Sequence, residues 1–242
     1  MALPHKVHSF GSSTRNTQAL PTGFAVLDRA LGIGGLPRGR ITEIFGPANC
    51  GKTALALQAI AFGQEMGAAA AWIDAEHAFD PGFATRLGVD LARLPVAEPA
   101  AAEEALEITR RLAASGAVDL VVVDSAAALV PRIELEAGLG AGGASLQSRV
   151  LGSELRRLTV VARRTGVAIL FLNQTRTRLE ASAGELETSA GGPSLKLHSA
   201  VRIALAASGR TVRFRILKNE LAAPFATGEL EWHPGTGFVE GP

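Results

Sequence analysis

The 242-residue sequence predicts an α/β fold, with a mainly parallel twisted sheet, helices on both faces and a β-rich C-terminal edge. Three observations carry this expectation. From Leu20 onward, apolar strand-like runs alternate with segments of helical period, the order that lays parallel strands side by side through crossover helices. Val118–Asp124 (VDLVVVD) and Val167–Leu172 (VAILFL) are continuously apolar rather than alternating, as strands are when both sheet faces are covered. Past Ser199, the runs VRIALAA, TVRFRIL and ELEWHP follow one another through turns with no helical pattern between them.

Taken in order, residues 1–19 are polar, aperiodic and rich in Ser, Thr and Asn, and read as a loose arm ahead of one core spanning 20–242. Arg40–Phe45 (RITEIF) is a strand that runs straight into a Gly-rich turn. Lys52–Met66 carries apolar residues at helical spacing, and Ala69–Asp74 (AAAWID) is the next strand. Ala101–Ser115 is a helix with Glu103, Glu104 and Glu107 near its start, where the helix dipole favours anions. Leu146–Thr165 is a helix that leads into Val167–Leu172. Ala137–Ser148 and Ala181–Ser194 are too small and polar for core and read as loops.

Composition narrows the class of protein. A chain that is 47% hydrophobic and 19% charged, with 27 Gly and 12 Pro, suits a globular core and excludes a disordered or collagen-like one. With 24 basic and 23 acidic residues the net charge is +1, so the molecule as a whole is no polycation. Locally it is different, because from Arg149 to Arg178 seven arginines face a single acid, Glu154. The single cysteine cannot close an internal disulfide, which points to a reducing compartment. The longest apolar run, Thr53–Gln64, holds 12 residues, short of the ~18–20 needed for a membrane span. MALPHKVHSF lacks the apolar segment of a secretory signal. The expectation is a soluble, cytoplasmic protein with no membrane partner.

The chemistry is concentrated at strand ends. Gly46-Pro47-Ala48-Asn49-Cys50-Gly51-Lys52-Thr53 fits G-x-x-x-x-G-K-[ST]. Its glycines let backbone N–H groups turn inward around phosphates, Lys52 supplies a point charge to the β/γ-phosphates, and the Thr53 hydroxyl suits Mg²⁺. The string follows a strand and opens a helix, the context this chemistry requires. Asp124 ends the most apolar strand, as a Walker B carboxylate does, and can hold Mg²⁺ through water. Asp74 and Glu76 lie at another strand end; Glu76, one step further out, is the better placed to orient or deprotonate an attacking water. Asn173-Gln174 closes the fourth strand, from where Gln174 can sense a γ-phosphate. Ends of parallel strands converge on one crevice, so these residues are expected to meet there.

At this point the residues resemble a known family. LGIGGLPRGRITEIFGPANCGKT, WIDAEHAFDP, GAVDLVVVDSAAAL, FLNQTR, a double glycine and KNELAAPF are similar to the ATPase core of the bacterial recombinase RecA, in order, from about Leu20 to Gly192 and again over Lys218–Phe225. The resemblance implies a P-loop NTPase fold of RecA type, with ATP and Mg²⁺ as cofactors. It makes Glu76 the catalytic glutamate, Asp124 the Walker B aspartate and Gln174 the γ-phosphate sensor, and sets Asp80 and Phe83 at adenine-contacting positions. Ala137–Ser148 and Gln174–Ala190 become the two DNA-facing loops. Arg149 and Arg156 match backbone contacts to DNA, and Arg176, Arg178, Gly191 and Gly192 fall in the same region. Arg149, Arg156 and Arg163 are seven residues apart, which leaves the three on nearly one helical stripe.

Departures from the family pattern are equally specific. Set against the family pattern, these 242 residues are expected to start too late for the full N-terminal helix and to lack the separate C-terminal domain. Lys218 matches the first of two lysines that reach a neighbouring subunit's ATP, while Glu220 replaces the second. Leu197 stands where the family carries a phenylalanine at the subunit interface, and Pro193 follows the double glycine in place of a polar residue. The expectation is an ATP-binding protein of DNA repair and recombination, within the SOS response to DNA damage, that binds single-stranded DNA weakly and forms at most a small homo-oligomer. The alternative is a non-recombinase accessory of a translesion mutasome, acting through a RecA-family or polymerase partner. A clock or motor ATPase would not be expected to carry AEHAFDP, NQTR and the double glycine.

Overall fold

The computed structural model describes residues 19–137, 143–177, 187–190 and 192–240. Residues 1–18 of the arm, together with Arg178 and Gly191, lie outside that range. Ala19, assigned to the arm, instead opens β1 (Ala19–Leu20), which pairs antiparallel with β2 (Leu36–Pro37) around α1 (Ala25–Leu31).

β3 (Ile41–Gly46) is buried at all six positions and runs into α2 (Lys52–Glu65). That helix is apolar nearly all round because ten of its 14 residues are buried. β4 (Ala70–Asp74), α3 (Pro81–Arg86), β5 (Val96–Ala97), α4 (Ala102–Ser115), β6 (Leu120–Asp124) and α5 (Arg132–Ala137) follow. α6 (Gly143–Thr165) leads into β7 (Ala168–Thr177), β8 (Glu187–Ser189) and α7 (Pro193–His198). Four strands end the chain: β9 (Val201–Ser208), β10 (Thr211–Asn219), β11 (Thr227–His233) and β12 (Gly237–Glu240).

The main sheet runs β12-β11-β10-β9-β3-β7-β6-β4-β5, with β8 paired to β7 alone. Every pairing from β9 through β3, β7, β6 and β4 to β5 is parallel, and every pairing from β9 to β12 is antiparallel. Alternation along each strand divides the core in two. Leu120, Val122, Leu170 and Leu172 pack with α1 and α2, whereas Val121, Val123, Ile169 and Phe171 pack with α4 and α6.

Three sequence expectations need correction. The helix expected from Leu146 starts earlier, at Gly143 inside the presumed loop, and buried Gln147 ties its first turns to the carbonyls of Ala126 and Leu129 (3.3 and 2.8 Å). The fourth strand does not stop at Gln174 but continues to Thr177, since Thr175, Arg176 and Thr177 pair with Ser189, Thr188 and Glu187 inside the second presumed loop. Val118 and Asp119 precede the strand they were assigned to. Asp119 instead accepts the Ala69 N–H (2.9 Å) and an Arg38 guanidinium bond (2.6 Å), clamping the starts of two strands together.

Candidate nucleotide site and basic helix face

The parallel strands β3, β4, β6 and β7 all end at one edge of the sheet, and the chemistry sits there. Gly51 is the N-cap of α2 with φ of 91°, a left-handed conformation that favours glycine. A Cβ at Gly51 would also fall 2.3 Å from the Phe238 ring. Behind it, the first amides of α2 are free of helix partners and the dipole is positive, which makes an anion seat. Lys52 is 8% exposed and folds back over its own loop, its Nζ donating to the carbonyls of Gly46 (3.1 Å) and Pro47 (2.7 Å). Phosphate oxygens can replace those carbonyls without moving the helix.

The Thr53 hydroxyl donates to Asp124 Oδ2 at 2.9 Å. These are two hard oxygen donors of the kind Mg²⁺ takes, and among the described residues no cluster of three His, Cys, Asp or Glu forms a closed cage. A cation held by these two oxygens would need its remaining ligands from phosphates and water. Burial pushes the Asp124 carboxyl up to about 6; the nearby Glu76 and Asp74 charges add to that, and the Thr53 bond and Lys52 oppose it.

Glu76 faces the same cavity, bonded to the Ser125 hydroxyl and accepting from Gln174 Nε2 at 3.1 Å. Asp74 does not face it; its carboxylate is 3% exposed and accepts the Phe79 N–H at 2.8 Å. The cavity holds about 610 Å³ and brings together Ala48–Thr53, Glu76, Phe83, Asp124 and Gln174. Asp80 is not among its walls: it caps α3, its side chain accepting the Phe83 N–H at 2.9 Å.

The far wall went unread in the sequence. Trp232 of β11 and Phe238 of β12 line the cavity, with ring centroids 5.2 Å apart, and Phe83 stands 6.3 Å from Trp232. The Trp in ELEWHP signalled a strand, but only the antiparallel turn-back of the tail carries it to the P-loop. Ser125 was missed too, and its one signal is its place directly after Asp124.

The candidate polynucleotide residues lie on another face. Arg149, Arg156 and Arg163 are exposed along α6, and Arg156 Nε donates to the Gly152 carbonyl at 3.1 Å. Gly192, with φ of 75°, abuts α6 so closely that a Cβ would lie 2.8 Å from Ser148 Oγ. Arg176 has its backbone in β7, while its side chain, like all of Arg178 and Gly191, lies outside the described residues. His198 of α7 has its pKa lowered by burial and by the charges of Arg156 and Lys218. Lys218 is paired at the surface: Nζ bonds Glu220 Oε1 at 2.9 Å and reaches the Leu197 carbonyl at 3.2 Å. Leu197 itself is 70% exposed. No described helix is long and apolar enough to cross a membrane.

Comparison with known proteins agrees with this layout. The family model for the RecA N-terminal domain matches residues 6–239. Protein RecA of Thermus aquaticus is 48% identical over 230 residues, covering 90% of this chain and 68% of that protein. Protein RecA of Clavibacter michiganensis subsp. michiganensis is 46% identical over 243 residues, covering 96% of this chain and 67% of its own length. Among solved structures, a crystal structure of the RadB recombinase superposes with a TM-score of 0.72 at 20% identity, covering 92% of this chain and all of the other, a likeness of fold.

Proposed function

The chain belongs to the RecA family, and on that premise we propose that it binds ATP with Mg²⁺, hydrolyses it, and acts on single-stranded DNA in recombinational repair. One observation carries the reading: Lys52, Thr53, Asp124, Glu76 and Gln174, from four strand ends, face one cavity of nucleotide size. The amides after Gly51 and the Lys52 ammonium bind the phosphates, and the base lies toward Phe83, Trp232 and Phe238. Thr53 and Asp124 would hold Mg²⁺, which when bound would neutralise charge on the phosphates. Glu76 accepts the proton of the attacking water, held in line by Ser125 and Gln174. Single-stranded DNA lies across Arg149 and Arg156, with Arg176, Arg178, Gly191 and Gly192 as further contacts by family position, and so few cationic contacts give weak, salt-sensitive binding.

A second reading has its own observation in favour. In the resembled filament a lysine pair reads the neighbour's γ-phosphate; here Lys218 matches the first, Glu220 puts a negative charge in place of the second and pairs with Lys218, and Leu197 offers an aliphatic side chain in place of an aromatic one. That supports a small oligomer, and an accessory role through a RecA-family or polymerase partner, over long ATP-gated filaments. ATP turnover measured with and without single-stranded DNA separates the two. Stimulation by DNA supports the recombinational reading; nucleotide binding with no stimulated turnover supports the accessory one; no nucleotide binding overturns both.

A further inference from the structure

Beneath the nucleotide site lies a set of charges that its chemistry does not use. Glu43 of β3 is 0% exposed and Arg202 of β9 7% exposed, and they pair at 2.5 Å between Arg202 Nε and Glu43 Oε2. Arg202 also donates to Ser189 Oγ at 3.1 Å and lies 4.4 Å over the Phe45 ring. The other Glu43 oxygen accepts from Asn173 Nδ2 at 2.8 Å, and the same amide donates to the Ala190 carbonyl at 3.0 Å. Asn173 Oδ1 in turn accepts the backbone N–H of Gln174 at 2.9 Å, and Gln174 reaches Glu76. Among the described residues no buried side-chain nitrogen or oxygen lacks a partner.

A buried ion pair is poor value as a stabiliser, since well-packed apolar residues of like volume often do as well or better. What it offers is direction. Each bond in this set has one partner that fits, and the last one fixes the main chain of Gln174. We propose that Arg202 and Glu43 are positioning residues, acting through Asn173 to hold Gln174 where it discriminates a γ-phosphate from its absence. The proposal rests on the nucleotide reading above. Arg202 also joins Ser189 and so fixes β8 to the same unit, which sets Gln174 and the β7–β8 hairpin in one frame.

The test is the ratio of affinities for a non-hydrolysable ATP analogue and for ADP, measured by calorimetry on the full chain with Mg²⁺. Asn173→Ala leaves the ion pair intact, and Arg202→Lys keeps a cation beside Glu43 but cannot span Glu43 and Ser189 with a fork. Each is expected to cut the analogue-over-ADP ratio at least fivefold while ADP affinity stays within about twofold. The double variant is expected to lose no more than Asn173→Ala alone, because both act through one link. Thermal unfolding of each variant confirms that the folded protein is being read, and Asn173→Ala carries the test if Arg202→Lys does not fold. An unchanged ratio in folded Asn173→Ala, additive losses in the double variant, or a wild-type ratio near one overturns the proposal. Absence of any nucleotide binding by the wild type overturns the nucleotide reading with it, whereas binding without turnover removes only hydrolysis and leaves the ratio to decide.

Discussion

Two ion pairs on adjacent strands of the sheet, Arg202–Glu43 and Lys218–Glu220, look alike as contacts and differ in nearly everything else. The first is shut away from water at 8% and 0% side-chain exposure; the second stands at 31% and 47%. Water screens the exposed pair, so either member can exchange its partner for another at little cost. The buried pair has no such freedom, because removing one member strands an uncompensated charge in the core. The difference separates frame from surface. Charges that set the geometry of the candidate nucleotide site are interior and fixed, and those that can meet a neighbour or a polynucleotide are exterior and exchangeable.

The contrast is sharpest at Arg202. Arg202→Met is expected to destabilise the fold by about 3–5 kcal/mol in urea unfolding, and Arg202→Met with Glu43→Leu to recover most of that loss. Next comes Asp124, whose carboxyl is raised from 3.8 to about 6. A raised folded-state pKa means that the native state binds the proton more tightly than the unfolded chain does. Without ligand, stability is therefore highest below the unfolded value and falls as pH rises from about 4 to about 6. With chelator and no nucleotide, Asp124→Asn should be more stable than wild type at pH 7.5 by about 2–3 kcal/mol, a gap that closes below pH 4. A pH-independent gap would show that packing, not charge, is responsible. For Lys52→Ala, calorimetry is expected to show ATP affinity reduced at least about tenfold, or ~1.4 kcal/mol.

Exterior charges should respond to salt and hardly to stability. Arg149→Ala with Arg156→Ala is expected to flatten the slope of log affinity for single-stranded DNA against log salt by about 1.4, two contacts at ~0.7 each. Glu220→Gln should change unfolding free energy by less than about 0.5 kcal/mol, since its pair is solvent-screened. A larger loss there would erase the distinction between the two pairs.

The sequence made the parallel half of the molecule legible because its signals are local. A strand end, a glycine turn and a helix start sit next to one another at Gly46–Thr53, and Asp124 and Gln174 follow unbroken apolar runs. The extra β7–β8 pairing was hidden, because polar residues from Thr175 to Thr177 carry no hydrophobic alternation and owe their extended form to a partner strand. Trp232, Phe238 and the Glu43–Arg202 pair were hidden for a related reason. Their meaning depends on contacts across 159 positions for the ion pair, and no periodicity encodes such a distance. Asp80 shows the reverse case, a residue legible by resemblance whose visible work here is capping a short helix.

The contact between Gly51 and Phe238 also has a consequence in time. A ribosome delivers the phosphate loop early and β12 some 180 residues later, yet the ring that presses on the loop belongs to that last strand. During synthesis the β3–α2 turn is complete long before its cavity has a far wall, so the nascent chain carries the motif without the finished pocket. Closing of the antiparallel edge is therefore the step that completes the cavity. A chain that stalls before Thr227 has β3, β4, β6 and β7 available to pair but none of the aromatic side of the site.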